Sequence, residues 1–191
     1  MLPSNTPSNP TVPGRFKGGR GKFAKKFQDF EDGGIALNDP SAGLEYQVWE
    51  GWIEDASRIY VQADNMSEPF LAYTGDGITE VSITFDQNMR LTVAFMEAGV
   101  GKLWWFDPTV PGMVIREFPG IRNPKVSLDD KRPIANASGT SDIILAYVRE
   151  GNLYFCLQRE RFAVEHLWLE GVNTLYRIGM TEGLRFQFEY R

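Results

Sequence analysis

Val81-Ser82-Ile83-Thr84-Phe85-Asp86 and Val126-Ser127-Leu128-Asp129-Asp130 begin 45 residues apart, and their reading decides the fold. In the first, Val81, Ile83 and Phe85 fall on one face and Ser82 and Thr84 on the other. That is the two-residue period of a strand, not the period of a helix. An Asp closing such a strand caps the next turn through backbone N–H groups, the role expected of Asp86 and Asp129. Each segment is followed by an apolar strand, at 91–95 and again at 143–147. Then come Gly101-Lys102-Leu103-Trp104 and its counterpart Gly151-Asn152-Leu153-Tyr154, and a fourth strand at 113–118 or 162–168. Four strands per unit of about 45 residues is the period of a propeller blade. An earlier partial unit is expected from Tyr46-Gln47-Val48-Trp49 through Phe70-Leu71-Ala72-Tyr73. Two or three blades do not close a ring. The expected fold is therefore mainly β, as an antiparallel β-sandwich or as partial propeller-like blades, with an extended N-terminal arm.

The rest of the body carries the same texture. Strands are expected at 102–106, 114–118, 143–148, 153–158 and 162–169, with turns at Ala98-Gly99, Pro111-Gly112, Pro119-Gly120 and Glu150-Gly151. Residues 143–148 are apolar on both faces and read as a central strand. In the last segment Leu184, Phe186, Phe188 and Tyr190 face one way and Arg185, Gln187, Glu189 and Arg191 the other, as in a strand with one wet side. A short helix over residues 23–30 is the one helical spacing that stands out.

Charge divides the chain into residues 1–45, an assembly arm, and 46–191, the β domain. Residues 1–28 carry Arg15, Lys17, Arg20, Lys22, Lys25 and Lys26 and no acid. The remainder holds 14 basic and all 25 acidic residues, a net −11. The first 14 residues are so rich in Pro, Ser, Asn and Thr that they bury too little to offset the entropy of ordering alone. After them Phe16, Phe23, Phe27 and Phe30 alternate with cations and glycines. Such a stretch suits a docking arm whose Phe rings enter pockets on an acidic neighbour, with Lys25 and Lys26 as charge partners. It also has the composition of a single-strand nucleic-acid binder or a solubilising tail; nucleic acid is not the expected partner. Gly18-Gly19-Arg20-Gly21-Lys22 lacks the phosphate-loop spacing.

Composition sets further bounds. With 42% hydrophobic and 13% aromatic residues the chain is neither disordered throughout nor collagen-like. Its apolar runs are too short to cross a bilayer as a helix, so no membrane insertion is expected. No basic region followed by an apolar run opens the chain, so no signal peptide is expected. One cysteine, Cys156, allows no internal disulfide and fits a reducing compartment. With one histidine beside it, Cys/His zinc sites within one chain are excluded, and no cofactor is expected.

Candidate chemistry is sparse. The pairs Glu54–Asp55, Asp129–Asp130 and Glu31–Asp32 are sequence neighbours, which strand geometry points to opposite faces, whereas a glycosidase needs carboxylates facing each other. His166 has no nucleophile motif near it, and Gly-x-Ser-x-Gly is absent. Cys156 reads as a small buried apolar residue. No catalytic residue is assigned and no enzyme is expected. Trp49, Trp52, Trp104 and Trp105 are candidate stacking platforms for sugars, the basis of an alternative reading as a carbohydrate-binding module for host-surface glycans.

The segments Gly34-Ile35-Ala36-Leu37-Asn38-Asp39-Pro40-Ser41-Ala42-Gly43-Leu44-Glu45-Tyr46-Gln47-Val48-Trp49 and Ser141-Asp142-Ile143-Ile144-Leu145-Ala146-Tyr147-Val148-Arg149-Glu150-Gly151-Asn152-Leu153-Tyr154 resemble virion structural proteins of tailed bacteriophages, as does Gln158-Arg159-Glu160-Arg161-Phe162. The resemblance implies a tail, neck or baseplate component, made in the host cytoplasm and carried in the virion. Its partners would be copies of itself and other virion proteins. It brings no catalytic or receptor-binding residues.

Overall fold

The computed structural model describes residues 33–37, 48–63, 65–86, 90–129, 142–180 and 186–191. Fourteen strands among them form three consecutive four-stranded antiparallel meanders and a hairpin. The first sheet holds β1 (Gly33–Leu37), β2 (Val48–Glu54), β3 (Arg58–Ala63) and β4 (Phe70–Thr74). The second holds β5 (Ile78–Phe85), β6 (Leu91–Glu97), β7 (Val100–Phe106) and β8 (Met113–Phe118). The third holds β9 (Ile121–Asp129), β10 (Asp142–Arg149), β11 (Asn152–Leu157) and β12 (His166–Glu170). The hairpin is β13 (Leu175–Met180) with β14 (Phe186–Tyr190).

Each sheet packs on the next, and the first strands β1, β5, β9 and β13 stand in a row, each against its successor. This is the arrangement of partial blades. Three apolar cores fill the three joints. Ile59, Val81, Ile83, Val93 and Phe95 lie between the first and second sheets. Leu103, Trp105, Phe118, Leu145, Tyr147 and Phe162 lie between the second and third. Ala146, Val148, Leu153, Val172 and Leu175 lie between the third sheet and the hairpin. The middle sheets are thus apolar on both sides. Within β10, Ile143, Leu145 and Tyr147 enter one core and Ala146 and Val148 the other, as expected of a central strand.

The repeat holds strand for strand: Val81 and Val126 lie in first strands, 91–95 and 143–147 in second strands, and 101–104 and 151–154 reach third strands. Their registers differ. The second-to-third turn is Ala98-Gly99 in one unit and Glu150-Gly151 in the other, with both residues at positive φ in each. Counting from that turn, Leu103 lies two residues further along its strand than Leu153. A two-residue shift leaves every side chain on the same face, so Leu103 and Leu153 both pack toward the following sheet.

Two expectations are revised. The sheet begins at Gly33, inside the segment 1–45 read as arm, because β1 pairs with β2. The strand expected over 162–169 starts only at His166. A 3-10 turn at Gln158–Glu160 and left-handed Arg161 and Phe162 (φ 53 and 55) precede it. This detour drops Phe162 into the second joint, edge-on to Trp105 at 4.9 Å. The polar face of β5 is buried as well as the apolar one: Ser82 Oγ accepts a hydrogen bond from Val126 N–H at 3.1 Å, and Thr84 is buried beside it. The short helix read over 23–30 lies outside the described residues.

Polar groups lock the joints. Asp86 caps its turn as expected, accepting from Arg90 N–H at 2.9 Å. Arg161 donates to Asp107 at 3.0 Å, tying the third sheet to the second. At the first joint, buried Glu97 accepts from Tyr73 Oη, from Asp76 N–H at 3.0 Å and from Lys102 Nζ. Gly75 is required there, because a Cβ would stand 1.7 Å from the Glu97 carboxylate. Burial alone raises the Glu97 pKa. The hydrogen bonds from Lys102, Asp76 and Tyr73, with the Lys102 charge, outweigh it and hold the carboxyl below its ordinary value.

A carboxyl with a depressed folded pKa adds stability that is present above its unfolded value and is lost as pH falls through the folded one. The urea midpoint of the wild type is therefore expected to converge on that of Glu97→Gln as pH drops below about 4. A constant gap between them across that range would mean that the lock does not depend on the Glu97 charge.

Candidate functional site: an aromatic shelf on the third sheet

Three of the four tryptophans expected to stack sugars are packing residues. Trp105 is 2% exposed and covered by Phe162. Trp104 points the other way, into the first joint, and Trp49 packs in that same core with its ring 5.1 Å from Phe85. Adjacent strand residues do point to opposite faces, but here both faces carry a neighbouring sheet. Trp105 therefore offers no ring face to a sugar, while Trp49 and Trp104 are partly buried where they pack against the core. Only Trp52 stands apart, half-buried and stacked on Tyr60 with centroids 5.8 Å apart. The arm residues Phe16, Phe23, Lys25, Lys26, Phe27 and Phe30 lie outside the described residues.

Of the carboxylate pairs, Glu54–Asp55 lies wholly within the described residues, and it forms an ion-pair cluster. Glu54 and Asp55 both hold Arg58, at 3.3 and 3.2 Å, at an exposed turn. Glu31, Asp32 and Asp130 lie outside the described residues. Among the described residues no three of His, Cys, Asp and Glu are grouped to hold a metal ion. Cys156 is buried and meets Tyr147 Oη at 3.4 Å, and Tyr147 in turn donates to Glu165, which Arg149 also holds. Burial pushes both the Tyr147 phenol and the Cys156 thiol up. Both stay neutral near pH 7, which leaves Cys156 a poor nucleophile.

The surface that stands out lies on the face of the third sheet that receives the hairpin. Phe155 on β11, His166 and Trp168 on β12, and Phe188 on β14 form one aromatic group. Trp168 meets Phe155 edge-on at 5.7 Å and Phe188 at 4.8 Å, while His166 stacks on Phe155 at 4.9 Å. His166 Nε2 lies 2.7 Å from Glu160 Oε2, within hydrogen-bond reach. Trp168 is nonetheless 53% exposed.

Trp168 belongs to β12, an outer strand of the third sheet. At the second joint the third strand of the following sheet, β11, lays Tyr154 and Cys156 over the second sheet. At the first joint β7 lays Trp104 over the first. At the third joint Leu153 of β11 is buried, while on β12 both Trp168 and its neighbour Leu167, on the opposite face, are half exposed. Alternation along 166–168 places His166 and Trp168 on one face in the sequence. Which strand lies at the sheet edge is set by topology, which local pattern does not report.

The chain matches no protein-family model, no curated protein and no solved structure. Its own geometry is what bears on function. There a half-exposed indole lies between two Phe rings, beside a His–Glu pair.

Replacing Trp105 with Ala is expected to cost about 3–5 kcal/mol in urea unfolding. Trp168→Ala should cost only about 1 kcal/mol, the scale of its ring contacts. Equal losses would place Trp168 in the core and remove the shelf.

Proposed function

We infer that this chain is a non-enzymatic structural subunit that works by assembling with copies of itself and with other proteins in a bacteriophage virion, in its tail, neck or baseplate. The observation that carries the assembly reading is β12, where Trp168 and Leu167 are both half exposed and which is paired with β11 alone among the described residues. An unpaired strand edge over an aromatic surface favours pairing with another chain. The charge pattern supports the same reading, since a basic segment, residues 1–28, ahead of a remainder of net −11, residues 29–191, favours head-to-tail contacts between copies. The virion setting rests on the sequence resemblance alone.

A second reading has its own observation. An indole face beside hydrogen-bonded Glu160 and His166 offers the apolar and polar contacts that a glycan ring requires. Tryptophan fluorescence titrated with host-surface glycans separates the two, because an assembly surface gives no saturable quenching that Trp168→Ala removes.

The assembly reading predicts a multimer whose mass falls when Phe16, Phe23, Phe27 and Phe30 are all replaced by Ser, while the circular dichroism of the β body is retained. Light scattering on both full-length proteins checks it. An unchanged multimer would remove those four rings from assembly.

A further inference from the structure

We propose that the outer strands β4, β8 and β12, the fourth strand of each sheet, form one side-chain contact surface for a second copy of this chain, related to the first by a two-fold axis through β8. The inference rests on the assembly reading for its partner, and adds the surface and the symmetry.

The case begins with where the exposed apolar side chains lie. Eight large ones are exposed among the described residues, and seven of these sit on the three outer strands or in the turns leading into β8 and β12. Phe70 and Leu71 stand on β4, Ile115 on β8, and Leu167 and Trp168 on β12, each between 44% and 53% exposed. Val110 and Val164 precede β8 and β12. β4 and β12 bury no side chain and β8 only Phe118, whereas β3 buries alternate residues and β6 six of seven. A placement that recurs in all three sheets belongs to the repeating unit and not to one irregular turn. Apolar surface concentrated in this way marks a protein contact.

Charge selects the occupant. Residues 29–191 carry a net −11, so copies of this chain repel one another wherever acidic surfaces meet. β4 holds no charged residue, β8 offsets Arg116 with Glu117, and β12 has Glu170 alone beside His166. An acidic copy approaches there with little repulsion. A strongly basic partner has no reason to choose the strands that carry the least charge.

The order of the sheets supplies the symmetry. They stack in a row, so their fourth strands follow one another as β4, β8 and β12. A two-fold axis through the middle strand sets Ile115 of the two copies side by side. It also reverses the row, bringing Leu71 of each copy toward Leu167 of the other. The surface thereby meets itself, as an isologous contact requires. Register shifts mark both flanking strands, where β4 pairs with β3 and β12 with β11. Such bulges work against a continuous ladder between edges, which leaves the contact to side chains. Seven half-exposed side chains supply on the order of 600 Å² per copy, against about 800 Å² per partner in a stable interface, before any polar rim is counted.

The test uses the full-length chain, whose own Cys156 is buried, so that an introduced thiol is the accessible one. Ile115→Cys is treated with a short bismaleimide, beside Gln187→Cys as an exposed reference on the hairpin. Linked dimers forming at least several-fold faster with Ile115→Cys are the expected result. Mixing Leu71→Cys with Leu167→Cys should give a linked mixed dimer that neither variant gives alone. If Ile115→Cys links no faster than Gln187→Cys while light scattering still shows a multimer, the two-fold surface is wrong and the assembly reading stands. Linkage at 115 without the mixed 71–167 dimer overturns the reversed row. A monomer in scattering with no linkage at any position removes both the surface and the assembly reading.

Discussion

A sheet that is apolar on both faces must be covered on both, and the architecture of this chain follows from that constraint. The second and third sheets are cores on either side. Phe95 and Leu103 lie in neighbouring strands of one sheet, yet they serve different joints. Leu145 and Ala146 are adjacent in sequence and also divided between joints. A two-sheet sandwich leaves each sheet one outer face for water, and these sequences have no such face to offer. Repetition of one meander is the economical solution. A unit that fits its predecessor also fits its successor, and the row of first strands β1, β5, β9 and β13 records that fit.

Apolar matching alone does not say which sheet should follow which, and the polar groups of the joints differ in a way that does. The first joint centres on Glu97, with Tyr73, Lys102 and the Asp76 N–H around it. The second centres on Tyr147, with Glu165, Cys156 and Arg149, and is closed at its edge by Asp107 and Arg161. Swapping the sheets would leave buried donors and acceptors without their partners, a cost of roughly 1–3 kcal/mol for each group. Such networks add little net stability when complete. They penalise wrong pairings among similar units, and a repeating chain is especially exposed to that error.

The sequence made the repeat legible because strand period survives small errors of alignment. Matching Gly101-Lys102-Leu103-Trp104 to Gly151-Asn152-Leu153-Tyr154 was two residues out of hairpin register, and parity still put Leu103 and Leu153 on corresponding faces. The features that escaped depend on breaks in that period. A bulge between Leu175 and Arg177 scrambles the alternation of β13, and no strand was read there. Left-handed Arg161 and Phe162 turn a segment that looks like the start of a strand into a plug for the second joint. Trp105 looked like a surface platform because its burial comes from Phe162, 57 positions along the chain. The arm was legible as composition, and its Phe anchors lie beyond the described residues. Trp168 was legible as a strand residue on a definite face, and its exposure was not, since exposure depends on which strand lies at the edge of the sheet.

The two ends of the row are therefore unequal. At the hairpin the outward face carries Arg177, Gln187 and Glu189, while the inward face carries Leu175, Ile178 and Phe188 against the third sheet. A hairpin that is apolar on one side only can close a row of doubly apolar sheets, much as a capping repeat with a polar outer face closes a solenoid. Closing the row in this way leaves one cost in place. The outer strand of the third sheet, β12, holds the most exposed tryptophan among the described residues. Indole surface of that kind is stabilised by burial at about 25 cal/mol per Å². The joints bury the sheet faces against one another, and the outer strand β12 keeps both Trp168 and Leu167 half exposed, which is why contact with a further strand would add most there.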